Sequence, residues 1–480
     1  MKTAALIPPL VTGLAAVAAL LGLGWWFTQA PPWAFSERVP GMDRHFPSKG
    51  PILEQVKIGE HFESFGGVAA ELAGEWPRFR GPNADNISPE TLRLADRWPP
   101  TGPKLLWSVD DLGEGYAAPA VRRGRVYLLD YDEARHGDAL RCFSLADGKE
   151  IWRRWYRVEV QRNHGMSRTV PAVSDRFAVT IGPLGHVMCV APDTGNLYWE
   201  LDLVRDFGAK VPLWYTGQCP LIDGDQVVLA PGGKALLMGV DGASGRVLWQ
   251  TPNPHGWQMS HSSIMPMTFH GRRMYVYAAV GGVVGVSADA ADRGKRLWET
   301  AAFNHAVVVP SPLVLPDGRI FLTAGYNAGG MMIEVTESAG VFGVRVLQTT
   351  TPATGLASEQ QTPLLYQGHL FAILPKDAEG LRNQFVCCTP DDCSKFVWTS
   401  GKTNRFGLGP YIVADGKFYI LADDGVLSMV RASTAGYEPL AHAKVLKGPD
   451  AWGPIAVVGG RMLLRDTKRM VCIDVKGEYD

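Results

Sequence analysis

Pro220-Leu-Ile-Asp-Gly-Asp-Gln-Val-Val-Leu-Ala-Pro-Gly-Gly233, followed by Val240-Asp-Gly-Ala-Ser-Gly-Arg-Val-Leu-Trp249, is the stretch that decides the fold. A proline opens a short apolar run, an Asp-Gly-Asp turn reverses it, and Gln226 to Ala230 is a β-branched strand. A Gly-containing turn then delivers Trp249 four residues after Gly245. The unit recurs. Gly148–Trp152, Gly195–Trp199, Gly245–Trp249, Gly294–Trp298, Gly343–Leu347, Ser394–Trp398 and Gly436–Leu440 repeat the turn and its bulky residue. Pro119, Pro171, Pro220, Pro266, Pro312, Pro363, Pro410 and Pro454 repeat the opening proline at intervals of about 44 to 52 residues. Such a period, holding four short strands, is one blade of a β-propeller.

Eight prolines predict eight blades, but the last one runs out of chain. From Pro454 it reaches Val471-Cys-Ile-Asp-Val475 and stops at Asp480 without an outer strand. Lys104-Leu-Leu-Trp-Ser-Val109 is an orphan copy of the Leu-Trp strand. Pairing it with the last blade closes the ring and removes exposed sheet edges. The expected fold is therefore all-β, an eight-bladed propeller over residues 104–480 with an N-terminal closure strand. The turn glycine permits a tight reversal, and the indole after it is expected to wedge between neighbouring blades, since a blade buries its faces only by stacking.

Composition agrees with a turn-dense globular ring: 54 Gly, 34 Pro and 46% hydrophobic residues among 480. A net charge of −1 with no like-charge block gives no sign of nucleic-acid binding.

Residues 1–30 form a separate element. Ala4 to Phe27 carries no charge and ends in Trp25-Trp26-Phe27, which suits a membrane interface. Twenty-four residues at helical rise span roughly 36 Å, enough for a bilayer. A retained transmembrane anchor is expected, with a signal peptide cleaved near Ala30 as the alternative. Lys2 before the segment and Arg38, Arg44 and Lys49 after it leave the orientation open; the signal-like start points to an extracytoplasmic (periplasmic) propeller. Residues 31–103 read as a tether, Pro-rich to about residue 50, with a short helix between Pro51 and Gly74.

The segment Trp76-Pro-Arg-Phe-Arg-Gly-Pro-Asn83 resembles the Trp-Pro-x-Phe-Arg-Gly-Pro-Asn signature that precedes propellers of the PQQ-like (quinoprotein-type) repeat family. Gly113 to Val121 is similar to that family's first blade strand, and the Pro220 to Trp249 unit to its middle blades. The likeness covers residues 76–480 and implies the propeller. Members include dehydrogenases and outer-membrane assembly lipoproteins, so it implies no single activity. Trp76 and Phe79 are expected to pack against the ring.

A quinoprotein site needs a planar pocket on the axis, a Ca²⁺ held by oxygens, and a carboxylate base. The family's dehydrogenases also stack the quinone on a ring made by two adjacent cysteines. Cys387-Cys388 is such a pair, but it precedes the Trp398 turn, where other blades carry single Cys142, Cys189 and Cys472 as small apolar fillers. Cys393 can pair with either of the two in an oxidising compartment. Seven cysteines leave at least one unpaired within the chain. No Cys-x-x-Cys-His, Gly-x-Gly-x-x-Gly, Walker loop, His-Glu-x-x-His or Gly-x-Ser-x-Gly occurs.

The candidate surface is the ring mouth, where loops leading into each first strand converge. They carry His164 and Arg168, Trp214 and Tyr215, Trp257 and His261, Asn304 and His305, Glu359 and Gln360, Arg405, and Trp452; Asn327 is a further polar candidate. His164, His261 and His305 form a three-histidine metal site only if their loops meet. Three functions follow: an accessory subunit or scaffold binding a protein partner in a membrane or envelope complex, which is preferred; a PQQ-dependent alcohol or sugar dehydrogenase; or a small-ligand sensor. The first predicts no cofactor and no catalytic residues, the second PQQ with Ca²⁺.

Overall fold

The computed structural model describes residues 7–28 and 56–477. They fall into two units, the N-terminal helix and the propeller. The helix, Ile7–Thr28, has 22 residues and no acidic or basic residue in its end turns. Its length, roughly 33 Å at 1.5 Å per residue, suffices to cross a bilayer. The expected Pro-rich tether and the basic residues after the helix lie outside the described residues.

Eight antiparallel sheets make the ring, each opened by one of the eight repeated prolines. We number the blades from Pro119. Blade 8 is completed from the other end of the chain: Leu105 pairs with Ile473, Trp107 with Cys472 and Val109 with Met470. The closure strand lies where the orphan Leu-Trp sequence predicts it.

The tryptophans also work as expected between blades 8, 1, 2, 3 and 4. Gly148, Gly195, Gly245 and Gly294 all have positive φ, and each receives the indole of the preceding blade: Trp107, Trp152, Trp199 and Trp249 respectively. A Cβ at any of the four would sit 2.6–2.8 Å from ring or side-chain carbon. Trp107 and Trp199 also donate their indole N–H to the carbonyls of Leu145 and Gly242, at 3.1 and 2.8 Å. Beyond blade 4 the pattern departs from the sequence reading. Gly343 lies within the strand Val341–Thr350, Ser394 within Asp392–Thr399, and Gly436 lacks the left-handed conformation. Blade 5 turns instead at Ala339-Gly340, so its two outer strands run to ten residues and Leu347 is left half exposed. The mechanism of turn plus wedge was transferred there from spacing alone.

Residues 56–103 pack on the ring. Where a short helix was expected, the described part is extended: His61–Ser64 adds a fifth strand to the outer edge of blade 1, pairing Phe62 with Arg154. Trp76 then bridges Val121 on the inner strand of blade 1, and Val173 of blade 2 donates to the Pro77 carbonyl at 2.8 Å. Asn86 and Ile87 reach the inner strand of blade 7, where Val413 N–H donates to Asn86 at 2.9 Å. Residues 76–88 thus run along the inner strands of the ring and occupy its axis.

Arg80 holds this plug. It is 1% exposed, and its guanidinium donates to the carbonyls of Ala84, Asp85, Thr362 and Pro363 at 3.0–3.2 Å. The bonds to Ala84, Thr362 and Pro363 are buried, and such acceptors need a donor; that to Asp85 is half-buried. A girdle of side-chain acceptors links the inner strands ahead of this point. Val170 N–H donates to Cys219 Sγ (3.2 Å), Cys219 N–H to Ser263 Oγ (3.0 Å), Ser263 N–H to Ser311 Oγ (2.9 Å) and Ser311 N–H to Thr362 Oγ1 (2.8 Å). It runs from blade 2 to blade 6. Gly409, Gly453 and Ala118 offer no such side chain before Pro410, Pro454 and Pro119. Arg80 takes over at blade 6, and the fully buried Arg465 joins blade 8 to blade 1 through the carbonyls of Ala117 (3.2 Å) and Gly113 (2.9 Å).

Candidate functional site

Two sets of loops open on the mouth, because alternate connections in an up-and-down blade lie on the same face. The loops leading into the inner strands were read from the sequence. Those between the second and third strands of each blade supply Tyr326, Lys376 and Asp423 as well.

The mouth has two aromatic–cation clusters. In the first, Trp214, on the loop between blades 2 and 3, stacks on Tyr326 of blade 5 with centroids 5.8 Å apart and planes at 17°. The His261 ring lies 6.3 Å from Trp214. Lys376 sits over the Tyr326 ring, 5.1 Å from its centroid, and pairs with Glu359 at 3.1 Å. Glu359 is 4% exposed, and its second oxygen, Oε2, has no hydrogen-bond partner among the described residues. Asn327 N–H donates to Asp377 at 2.7 Å, tying the Tyr326 turn to the Lys376 loop.

In the second cluster Arg168 lies over Tyr116 at 5.0 Å, and Tyr116 stacks on Trp452 at 5.0 Å and 27°. Burial pushes the Tyr116 hydroxyl up to about 12, so it is a neutral donor at physiological pH. Trp452 donates its indole N–H to Asp423 at 2.7 Å, and Gln361 bonds the carbonyls of Leu408 and Trp452 at 3.3 and 3.2 Å. Burial raises the Asp423 carboxyl above the ordinary range. Burial raises the Tyr326 hydroxyl pKa, with Glu359 adding to it and Lys376 and Arg168 opposing it, so the two clusters are within electrostatic range of each other.

Six of the seventeen left-handed non-glycine residues among the described ones lie in these loops. His164, Trp214, Tyr215, Tyr326, Asn327 and Asp450 all have φ between 51° and 74°. Left-handed non-glycine residues cost free energy, so each is held in place by its surroundings.

Other sequence candidates take different places. Trp257 is buried against Gly281 and Gly282. Arg405 bonds the carbonyls of Gly380 (3.1 Å) and Arg382, which anchors the blade 6 loop. Asn304 is exposed, and Gln360 is half-buried. The three histidines go to separate neighbours: His164 interacts with Asp450, His261 with Trp214, and His305 with Phe303, where burial lowers its imidazole pKa. Among the described residues no group of three His, Cys, Asp or Glu is placed to hold a metal ion.

The residues do not fit a calcium-held planar quinone. Cys387 and Cys388 are fully buried on opposite faces of their strand, one in the core shared with blade 7 and the other in that shared with blade 5. Neither faces the axis. All seven cysteines are free thiols; Cys388 lies against Cys393, which interacts with it through its side chain. The axis, where a planar ring would have to stack, holds the Arg80 turn.

The family model described as outer membrane protein assembly factor BamB matches residues 135–352 and 239–392, together more than half of the chain. The chain belongs to the PQQ-like propeller family. A search of curated proteins found no match. Among solved structures, BamB from Moraxella catarrhalis is similar at 13% identity and a TM-score of 0.52, covering 78% of this chain and 99% of its own. Quinohemoprotein alcohol dehydrogenase ADHIIG from Pseudomonas putida HK5 is similar at 12% identity and 0.57, covering 85% and 81%. A europium-containing methanol dehydrogenase follows at 12% and 0.55, covering 83% and 89%. These likenesses establish the PQQ-like ring and leave its activity to the mouth.

Proposed function

We propose that this chain is a membrane-anchored, extracytoplasmic propeller that serves as an accessory subunit or scaffold in an envelope complex, without chemistry of its own. The observation that carries this reading is the mouth itself: Trp214, Tyr326, Tyr116, Trp452, Arg168 and Lys376 crowd one face over an axis already filled by residues 76–88. Trp, Tyr and Arg are the side chains that dominate protein–protein hot spots, where large rigid surfaces are desolvated together. A rigid floor lowers the ordering cost of such an interface. The BamB description of the family model and the apolar N-terminal helix support an envelope location.

Two measurements test it. Extracted from its own membranes in mild detergent, the protein is expected to migrate above its 52.2 kDa mass with a second polypeptide in fixed proportion. Trp214→Ala with Tyr326→Ala should return it to its own mass. Titration with PQQ and Ca²⁺, followed by dye reduction with alcohols and aldoses, is expected to show neither stoichiometric binding nor turnover; both together contradict the reading.

A further inference from the structure

On the opposite face, where first strands turn into second strands, a cleft of about 310 Å³ lies between the Trp76–Asn83 segment and blades 1 to 3. Its charged walls are Arg78, Arg122 and Arg176 against Glu75 and Asp175; Pro77, Pro82, Val173, Phe177 and Ile222 supply apolar surface. Two of the arginines are spoken for. Arg122 pairs with Glu75 and with Asp175 (3.0 Å), and Arg176 pairs with Asp225. Arg78 is different. Among the described residues its one hydrogen bond runs from Nη2 to the Pro82 carbonyl at 2.5 Å, it has no ion pair there, and its buried Nε has no partner among them.

Two of the three carboxylates nearest Arg78 are paired with other arginines, while Asp85 is held by a backbone N–H. Asp223 holds Arg273 at 2.9 Å and accepts from the Tyr275 hydroxyl at 2.5 Å, Asp85 accepts from Ile87 N–H at 2.9 Å, and Glu75 holds Arg122. Burial lowers the Arg78 pKa, against the opposing pull of Asp223, Asp85 and Glu75. The cleft therefore presents a guanidinium without an ion pair among the described residues beside an apolar wall, at the lower end of small-ligand volumes.

We propose that this cleft binds a monoanionic carboxylate bearing a small apolar substituent. The guanidinium of Arg78 takes the carboxylate by its planar fork, and the substituent lies against Phe177 and Ile222. A free short-chain acid and the C-terminal carboxylate of a peptide share this chemistry. The site lies away from the mouth and stands independently of the scaffold reading.

The test is calorimetric titration of the full-length protein in detergent with four probes: 3-methylbutanoate, 3-methylbutanamide, acetyl-Ala-Ala-Leu as the free acid, and the same peptide amidated. Saturable one-to-one binding of an acid, absent for its amide, is expected; the short acid alone indicates a metabolite site, the peptide acid a C-terminus. Arg78→Gln should weaken it at least tenfold. Arg176→Gln, a change at the exposed rim, should weaken it less and guards against misfolding of the first variant. Equal binding of acid and amide, no saturation by either acid, or an undiminished affinity in a folded Arg78→Gln protein overturns the proposal.

Discussion

Replacing Arg80 by methionine removes a guanidinium that donates to three buried carbonyls and one half-buried one, and keeps the aliphatic volume. Losing the donors leaves those acceptors dry, so the expected cost is about 3 kcal/mol or more, read by chemical denaturation. A second residue sets a pH dependence. Burial pushes the Asp138 carboxyl up to about 7, although the Tyr156 hydroxyl donates to it at 2.5 Å. Its folded pKa thus lies above the unfolded value of about 3.9. Between about pH 4 and pH 7 the folded chain keeps a proton that the unfolded chain has released, so stability falls as pH rises through that window. Asp138→Asn is expected to flatten this decline and raise the melting temperature at pH 8. An unchanged slope would show that other groups set it.

At the scale of elements, the closure strand carries more than its own contacts. Deleting residues 100–110 opens blade 8 along its whole edge and removes Trp107 from Gly148. Denaturation should therefore show a far larger loss than Trp107→Ala, which forfeits about 3–5 kcal/mol of ring burial alone. The blades were legible in the sequence because each repeats one structural need, a proline, a reversing turn and a wedge. Legibility failed where the repeat is degenerate: Gly343 and Ser394 keep the spacing, but the hairpins turn elsewhere. The girdle left a trace in Cys219, Ser311 and Thr362, each directly before a repeat proline, yet its bonds join different blades and no local pattern announces them. The mouth was half legible. Trp214, His261, Glu359 and Trp452 were found on loops entering the inner strands, whereas Tyr326 and Lys376 sit on the other loops of the same face and meet Trp214 and Glu359 only through the closed ring. The resemblance at Trp76–Asn83 indicated packing against the ring, but not that Arg80 would be buried on its axis.

For the whole molecule, the apolar helix and the propeller are separate units with separable behaviour. Full-length protein is expected to sediment with membranes and require detergent, while a chain beginning at residue 56 should be soluble with an unchanged melting temperature. Beginning at residue 76 instead strips the His61–Ser64 strand from blade 1 and should lower that temperature. Recovery of a native protein starting near Pro31 would identify the helix as a cleaved signal. The central claim is that the mouth is a docking face, and site-specific photocross-linking in intact membranes tests it most directly. A photoreactive side chain at position 326 is expected to trap one discrete partner polypeptide, while the same group at position 397, exposed on the outer strand of blade 6, traps none. Absence of any adduct from position 326, or the same adducts from both positions, would contradict the account.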